Sequence, residues 1–178
     1  VLQMLSRRSA NLEYGNKAEA TLAAFSGLIK AHPSGYSYML SAALDLEQGE
    51  ISARGYAAQG GVRIKAELLS DTPLAVKVQV PEKWHINSSS PLQQGLIATK
   101  LELMDGAGGW NLDNINYPAA ETQRLGFQSD PLSLYHGTIT IQADYKRGGK
   151  AGSILPLQLS LQACNEKICL PPERVPLR

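Results

Sequence analysis

The sequence has few cysteines and histidines and almost no net charge, and each shortage excludes a class of protein. Only two of the 178 residues are cysteine and three are histidine. No histidine flanks the cysteines at ligand spacing, so a zinc site is not expected. A formal net charge of +1 offers no electrostatic basis for binding nucleic acid or an anionic membrane surface. No apolar run reaches roughly 18 residues, so we expect no direct membrane insertion.

The N-terminal part of the chain carries a helical pattern. Apolar residues recur at helical spacing from Ala18 to Ile29 and again from Tyr36 to Leu44. Between these stripes, His32-Pro33-Ser34-Gly35 breaks a helix. We therefore predict a helical hairpin of two elements within residues 1–54. Its second stripe is expected to be core, with a partner surface as the alternative reading of Tyr36, Tyr38 and Met39.

From Val62 the hydrophobic period changes from helical to two, which is typical of half-buried strands. No helical stretch separates the apolar segments, so parallel βαβ units are not expected. The pattern predicts a mainly β domain over residues 60–178, an antiparallel β-sandwich preceded by the helical hairpin. The five predicted strands cover residues 62–68, 74–80, 96–103, 138–143 and 155–163. Residues 105–137 are weakly patterned and are predicted to form a long loop of functional or mobile character.

Both cysteines lie near the end of the chain, with four residues between Cys164 and Cys169. If the flanking segments form a hairpin, the two side chains face each other at a non-hydrogen-bonded pair, where a disulfide fits. Strand alternation places Cys164 on the face opposite Leu157, Leu159 and Leu161, so it is expected to point away from the core, toward solvent or toward whatever covers that face. Lys167 would favour a thiolate there and Glu166 would oppose one.

The pair has two interpretations. One is a thiol–disulfide exchange site, which needs a reachable sulfur. The other is a structural disulfide in a binding or accessory module. A disulfide that closes a loop this short stabilises a fold by only about 2 kcal/mol, so both interpretations stay open on spacing alone. A hydrolase has little support, because Ser88-Ser89-Ser90 near His85 lacks a nucleophile-elbow pattern.

Five segments of the chain, in order, match a known family: Val80–Asn87, Asn116–Pro118, Leu125–Phe127, Leu134–Gly137 and Gln162–Glu173. The last of these segments, which holds both cysteines, is the most specific. On these segments, residues from about 60 to 177 resemble the N-terminal periplasmic domain of DsbD-type thiol:disulfide interchange proteins, also known as the disulfide bond corrector domain.

The resemblance implies an immunoglobulin-like domain in the periplasm or another extracytoplasmic compartment. There it would take reducing equivalents from a thioredoxin-like partner and pass them to protein disulfides, with no cofactor or metal ion. It implies Cys164 and Cys169 as the exchanging pair and a cap loop over residues 126–130. The expected supporting residues are His85, Asn87, Phe127, Tyr117 and Glu166, with plain core packing as the alternative for Phe127.

Residues 31–45 resemble the final helices of larger thioredoxin-containing proteins with an α-helical barrel. This resemblance implies that residues 1–54 are the tail of an upstream domain. The redox partner would then lie on the same polypeptide.

Overall fold

The computed structural model describes residues 1–9, 11–48, 52–69, 73–125 and 130–178. The chain divides into two compact units, Val1–Ile51 and Ser52–Arg178, which we call the helical unit and the sandwich unit. Within the described residues, no helix is long and apolar enough to cross a membrane.

The helical unit has three α-helices in its described residues, one more than predicted. These are α1 (Leu2–Ser9), α2 (Leu12–Ala31) and α3 (Ser37–Gln48), with a 3₁₀ turn (Pro33–Tyr36) between the last two. The prediction missed α1 because about two turns are too few to show a hydrophobic period. The side chain of Asn11 caps α2 by accepting from the Glu13 N–H. Tyr38 was expected in the core, but it is 92% exposed.

The sandwich unit is built from twelve described strands. Its first strand pairs with the second and begins six residues before the predicted domain start at 60. In chain order the strands are β1 (Arg54–Ala57), β2 (Val62–Leu68), β3 (Leu74–Gln79), β4 (Trp84–Asn87), β5 (Lys100–Leu103), β6 (Trp110–Asn116), β7 (Glu121–Gln123), β8 (Leu132–Tyr135), β9 (Thr138–Arg147), β10 (Leu157–Leu161), β11 (Ala163–Asn165) and β12 (Glu173–Leu177).

These strands form three antiparallel sheets around one core. The sheet orders are β1-β2-β3-β9-β6, β12-β10-β5 and β11-β4-β8-β7. Buried side chains of all three sheets meet in a single hydrophobic cluster, for example Val76, Leu159 and Ile86. At Gln162 the chain leaves the three-stranded sheet, in which β10 lies, and enters the four-stranded sheet as β11. The predicted fold class, a mainly β antiparallel sandwich preceded by helices, is confirmed.

The prediction of a long loop over residues 105–137 was wrong. This region contains β6, β7 and β8. In β6 the pairing with β9 shifts between Asp113 and Asn116, and Asn114 has a positive φ of 48°. A bulge of this kind interrupts the alternation of apolar and polar side chains, so the period of two cannot be read from the sequence.

Candidate functional site

The two cysteines form a disulfide across the mouth of a tight hairpin. Their Cα atoms are 4.0 Å apart, and the residues are paired antiparallel. The Asn165 N–H donates to the Ile168 carbonyl and the Leu170 N–H donates to the Ala163 carbonyl, both at 2.9 Å. The cysteines lie between these two bonded pairs, so they occupy a non-hydrogen-bonded position. The predicted hairpin geometry is therefore confirmed.

The hairpin is held by hydrogen bonds that do not involve sulfur. The Asn165 Oδ1 accepts from the Lys167 N–H at 2.8 Å and from the Ile168 N–H at 3.0 Å. The Gln162 side chain donates to the Leu170 carbonyl at 3.0 Å. An asparagine that bonds to backbone N–H groups two and three residues ahead stabilises a turn locally. The backbone therefore keeps the two cysteines opposite each other whether or not they are bonded.

The two cysteines differ in accessibility. Cys164 is only 4% exposed, whereas Cys169 is exposed. As strand alternation predicts, Cys164 lies outside the core cluster that contains Ala163, yet its side chain is buried. The reason is that the outer face of the four-stranded sheet is itself covered, since Asn87 and Leu134 are buried there as well. Of the two cysteines, Cys169 is therefore the one that solvent and a partner can approach.

A histidine lies directly across the sheet from the buried cysteine. In the pairing of β11 with β4, Cys164 is opposite His85. On the other side of β4, Ile86 is opposite Tyr135, and one step further in this register His136 is opposite His85. The ring centroids of His85 and His136 are 5.7 Å apart. A row of four side chains thus runs across the strands, from Cys169 through Cys164 and His85 to His136.

His85 lies in an environment that disfavours positive charge. His85 is 5% exposed, and burial, followed by the nearby His136, lowers the pKa of His85. His85 is therefore neutral at neutral pH while the disulfide is intact. The Nε2 atom of His136 is buried and has no hydrogen-bond partner among the described residues. Sequence reasoning missed His136, although the alternation of Leu132, Leu134 and His136 places all three on one strand face.

Asn87 holds the segment that follows β4. Its Nδ2 donates to the Ile97 carbonyl at 3.0 Å, and its own carbonyl accepts from the Thr99 Oγ1 at 2.6 Å. The Ser88 N–H donates to the Ser133 carbonyl at 2.9 Å. These contacts fix residues 88–99 beside the outer face of the sheet. In the part of the chain that the structure describes, no hydrogen bond joins Asn87 to either cysteine.

The remaining predicted supporting residues lie in different places. The Tyr117 hydroxyl accepts from the Leu101 N–H at 2.9 Å, and its ring packs against the core. Burial raises the pKa of Tyr117, and its described contacts are with the core, not with the cysteines. Glu166 is exposed in the hairpin turn beside Lys167. Phe127 and the other residues of the predicted cap loop up to 129 lie outside the described residues, so the cap remains a prediction.

The described residues contain no cluster of three or more His, Cys, Asp or Glu side chains that could hold a metal ion. What the site does offer is a disulfide with one exposed and one buried cysteine, at the end of an antiparallel sandwich. Such an arrangement can undergo thiol–disulfide exchange, in which an external thiolate attacks one sulfur while the other leaves.

A comparison with known protein families agrees with thiol–disulfide exchange chemistry. Residues 57–175 match the family described as "Thiol:disulfide interchange protein DsbD, N-terminal". The match covers about two thirds of the chain, and the chain belongs to this family. The domain is thus a thiol–disulfide exchange domain of the DsbD type.

The solved structures that are similar to the chain, at low identity, include two N-terminal domains. The reduced N-terminal domain of DsbD from Neisseria meningitidis is 20% identical with a TM-score of 0.42, and the alignment covers 64% of this chain and 81% of that one. The N-terminal periplasmic domain of ScsB from Proteus mirabilis is 16% identical with a TM-score of 0.42, covering 65% and 44%. No curated protein sequence matches the chain. No residue role is transferred from these likenesses.

Proposed function

We propose that the sandwich unit passes reducing equivalents from a thioredoxin-like partner to protein disulfides through Cys164 and Cys169. The observation that carries this proposal is the asymmetry of the disulfide, with Cys169 exposed and Cys164 buried, in a chain of the DsbD N-terminal family. An extracytoplasmic location follows from the same argument, because disulfides persist in oxidising compartments.

Reduction of the domain begins at the exposed cysteine. A thiolate of the partner attacks the Cys169 sulfur, a new S–S bond forms, and the Cys164–Cys169 bond breaks with its electron pair on Cys164. The second thiol of the partner, as a thiolate, then attacks the partner's own sulfur in the mixed disulfide and releases Cys169. The partner becomes oxidised to a disulfide, and the domain now carries two reduced sulfurs.

Reduction of the substrate follows the reverse order. The Cys169 thiolate attacks a disulfide of the substrate protein and forms a mixed disulfide, releasing one substrate thiolate. Cys164 then attacks Cys169, which restores the intramolecular disulfide and releases the second substrate thiolate. Cys164 needs no access to solvent for this step, since the hairpin backbone holds it directly opposite Cys169.

The reduction potential of the pair is the first test. Equilibration in thiol redox buffers, followed by trapping and mass spectrometry, should give a value between about −270 and −180 mV, the range of exchange proteins. A value well below about −300 mV would mark a structural disulfide and reject the proposal.

A pair of single-cysteine variants tests the order of attack. With Cys164→Ala, the remaining thiol of Cys169 should be alkylated readily and should form a mixed disulfide with a thioredoxin-fold protein. With Cys169→Ala, the thiol of Cys164 should react much more slowly, because it is buried. Equal rates in the two variants would contradict the assignment of Cys169 as the attacked sulfur.

A further inference from the structure

Two of the three histidines of the chain meet beside the buried cysteine, and the exchange steps above use neither of them. His85 is the cross-strand neighbour of Cys164 on a covered sheet face. Directly opposite strand positions bring side chains within about 5 Å at Cβ. A group that titrates near neutral pH is therefore held next to the sulfur that becomes the leaving group.

The reaction creates a charge at a place that lacks solvent. When Cys169 is attacked, the electron pair of the broken bond stays on Cys164, which is 4% exposed. An isolated thiolate in a covered site is unfavourable unless a cation or a proton compensates it. Bulk water reaches this sulfur poorly, so the compensation has to come from a neighbouring side chain.

We propose that His85, supported by His136, is the proton partner of Cys164, so that reduction of the disulfide converts His85 to an imidazolium paired with the Cys164 thiolate. The inference rests on the proposed exchange function. The charge of His85 then depends on the redox state of the cysteines: His85 is neutral beside the disulfide and positively charged beside the reduced pair. His136 acts through His85 and is a positioning residue.

The step balances in electrons and protons. The dithiol of the partner gives up two electrons and two protons and becomes a disulfide. Both electrons enter the Cys164–Cys169 bond, leaving one pair on each sulfur. One proton binds to Cys169, and the other binds to His85. When the domain later reduces a substrate disulfide, Cys169 loses its proton and attacks as a thiolate, and the first departing substrate sulfur takes up that proton. Cys164 then attacks Cys169 as a thiolate, and the His85 proton goes to the second departing substrate sulfur.

The other charged groups near the site do not provide this compensation. Glu166 and Lys167 have opposite signs and are both exposed in the hairpin turn. Lys83, which precedes β4, is exposed as well. Residues 126–129, which lie outside the described residues, contain no ionisable side chain in the sequence. His136 is the only titratable group among the described residues whose charge acts on His85.

His136 offers a nitrogen that the oxidised structure does not use. Its Nε2 atom is buried without a hydrogen-bond partner among the described residues. A neutral imidazole has one donor and one acceptor nitrogen, so a neutral His136 can accept a hydrogen bond from the His85 imidazolium, which offsets the repulsion that a charged His136 exerts on His85. An unpaired buried polar atom is costly, and a role in the reduced state explains why one is present here.

The test is to follow the histidines by NMR as a function of pH in the oxidised and the reduced protein. The pKa of His85 should be about one to three pH units higher in the reduced protein, because a thiolate lies beside it. In a Cys169→Ala background, thiolate absorbance near 240 nm should show that Cys164 titrates below about 8.5, the ordinary thiol value. The added substitution His85→Gln should raise the pKa of Cys164, and His136→Gln should raise it less.

His32→Gln is the matched control, since His32 is exposed in the helical unit and should leave the pKa of Cys164 unchanged. The inference is overturned if His85 titrates at the same pH in both redox states. It is also overturned if His85→Gln leaves Cys164 unchanged. The comparison of redox states uses the natural chain, so it remains decisive if His85→Gln does not fold. Failure to exchange with a thioredoxin-fold protein, with the His85 shift present, would reject the proposed function and leave this inference standing.

Discussion

Reduction of the Cys164–Cys169 disulfide should cost the sandwich little stability. The two cysteines are five residues apart in sequence, so the bond closes a loop of six residues. The loop-closure model gives about 2 kcal/mol for a ring of this size, near the lower end for natural disulfides. By the equivalence of about 30 mV to 1.4 kcal/mol, folding then lowers the reduction potential of the pair by about 40 mV.

The hydrogen bonds of the hairpin explain why reduction of the disulfide should not lower the stability of the domain further. Asn165 and Leu170 make backbone hydrogen bonds on either side of the disulfide, and the Asn165 side chain closes the turn. These bonds survive reduction because none of them involves a sulfur atom. The reduced domain should therefore keep its sheets and its core, as a domain that cycles between two redox states must.

Urea unfolding at equilibrium, followed by circular dichroism, measures the effect. We expect the reduced chain and the double variant Cys164→Ser/Cys169→Ser to lose about 2 kcal/mol relative to the oxidised chain. The double variant with and without reductant controls for the reductant itself. A loss above about 4 kcal/mol, or loss of the β-sheet signal on reduction, would refute the reasoning and favour a structural disulfide.

Three further predictions concern residues around this framework. Asn165→Ala removes the acceptor for two turn N–H groups and should lower the free energy of unfolding by about 1 kcal/mol in urea titrations; no change would mean that the turn forms without it. Gly55→Ala places a Cβ against the Val175 side chain and should cost more than about 1 kcal/mol, whereas Gly149→Ala meets nothing within 4 Å and should cost less than about 0.5 kcal/mol. The folded state lowers the pKa of His85, so the unfolded chain binds a proton on this side chain more readily, and the free energy of unfolding should fall as the pH drops through about 6.5. His85→Gln should weaken this pH dependence, and an identical pH profile for the variant would contradict the prediction.

Part of the fold could be predicted because its strands alternate regularly. The predicted strand over residues 62–68 coincides with β2, and the strand predicted at 138–143 is the first part of β9. No period could be read in β6, which a bulge interrupts, or in β7, which has only three residues. In the helical unit, α1 was not predicted, because an element this short shows too few repeats of the hydrophobic pattern.

The candidate site, like the fold, could be predicted from the sequence only in part. The spacing of Cys164 and Cys169 and the alternation of the preceding strand determined a hairpin pair facing away from the core, because both are properties of neighbouring residues. Sequence alone did not determine that Cys164 is buried, that His85 lies opposite it, or that His136 lies beside His85. Those facts depend on which strands pair and on what covers the outer face, and only the tertiary structure brings together residues so far apart in the chain.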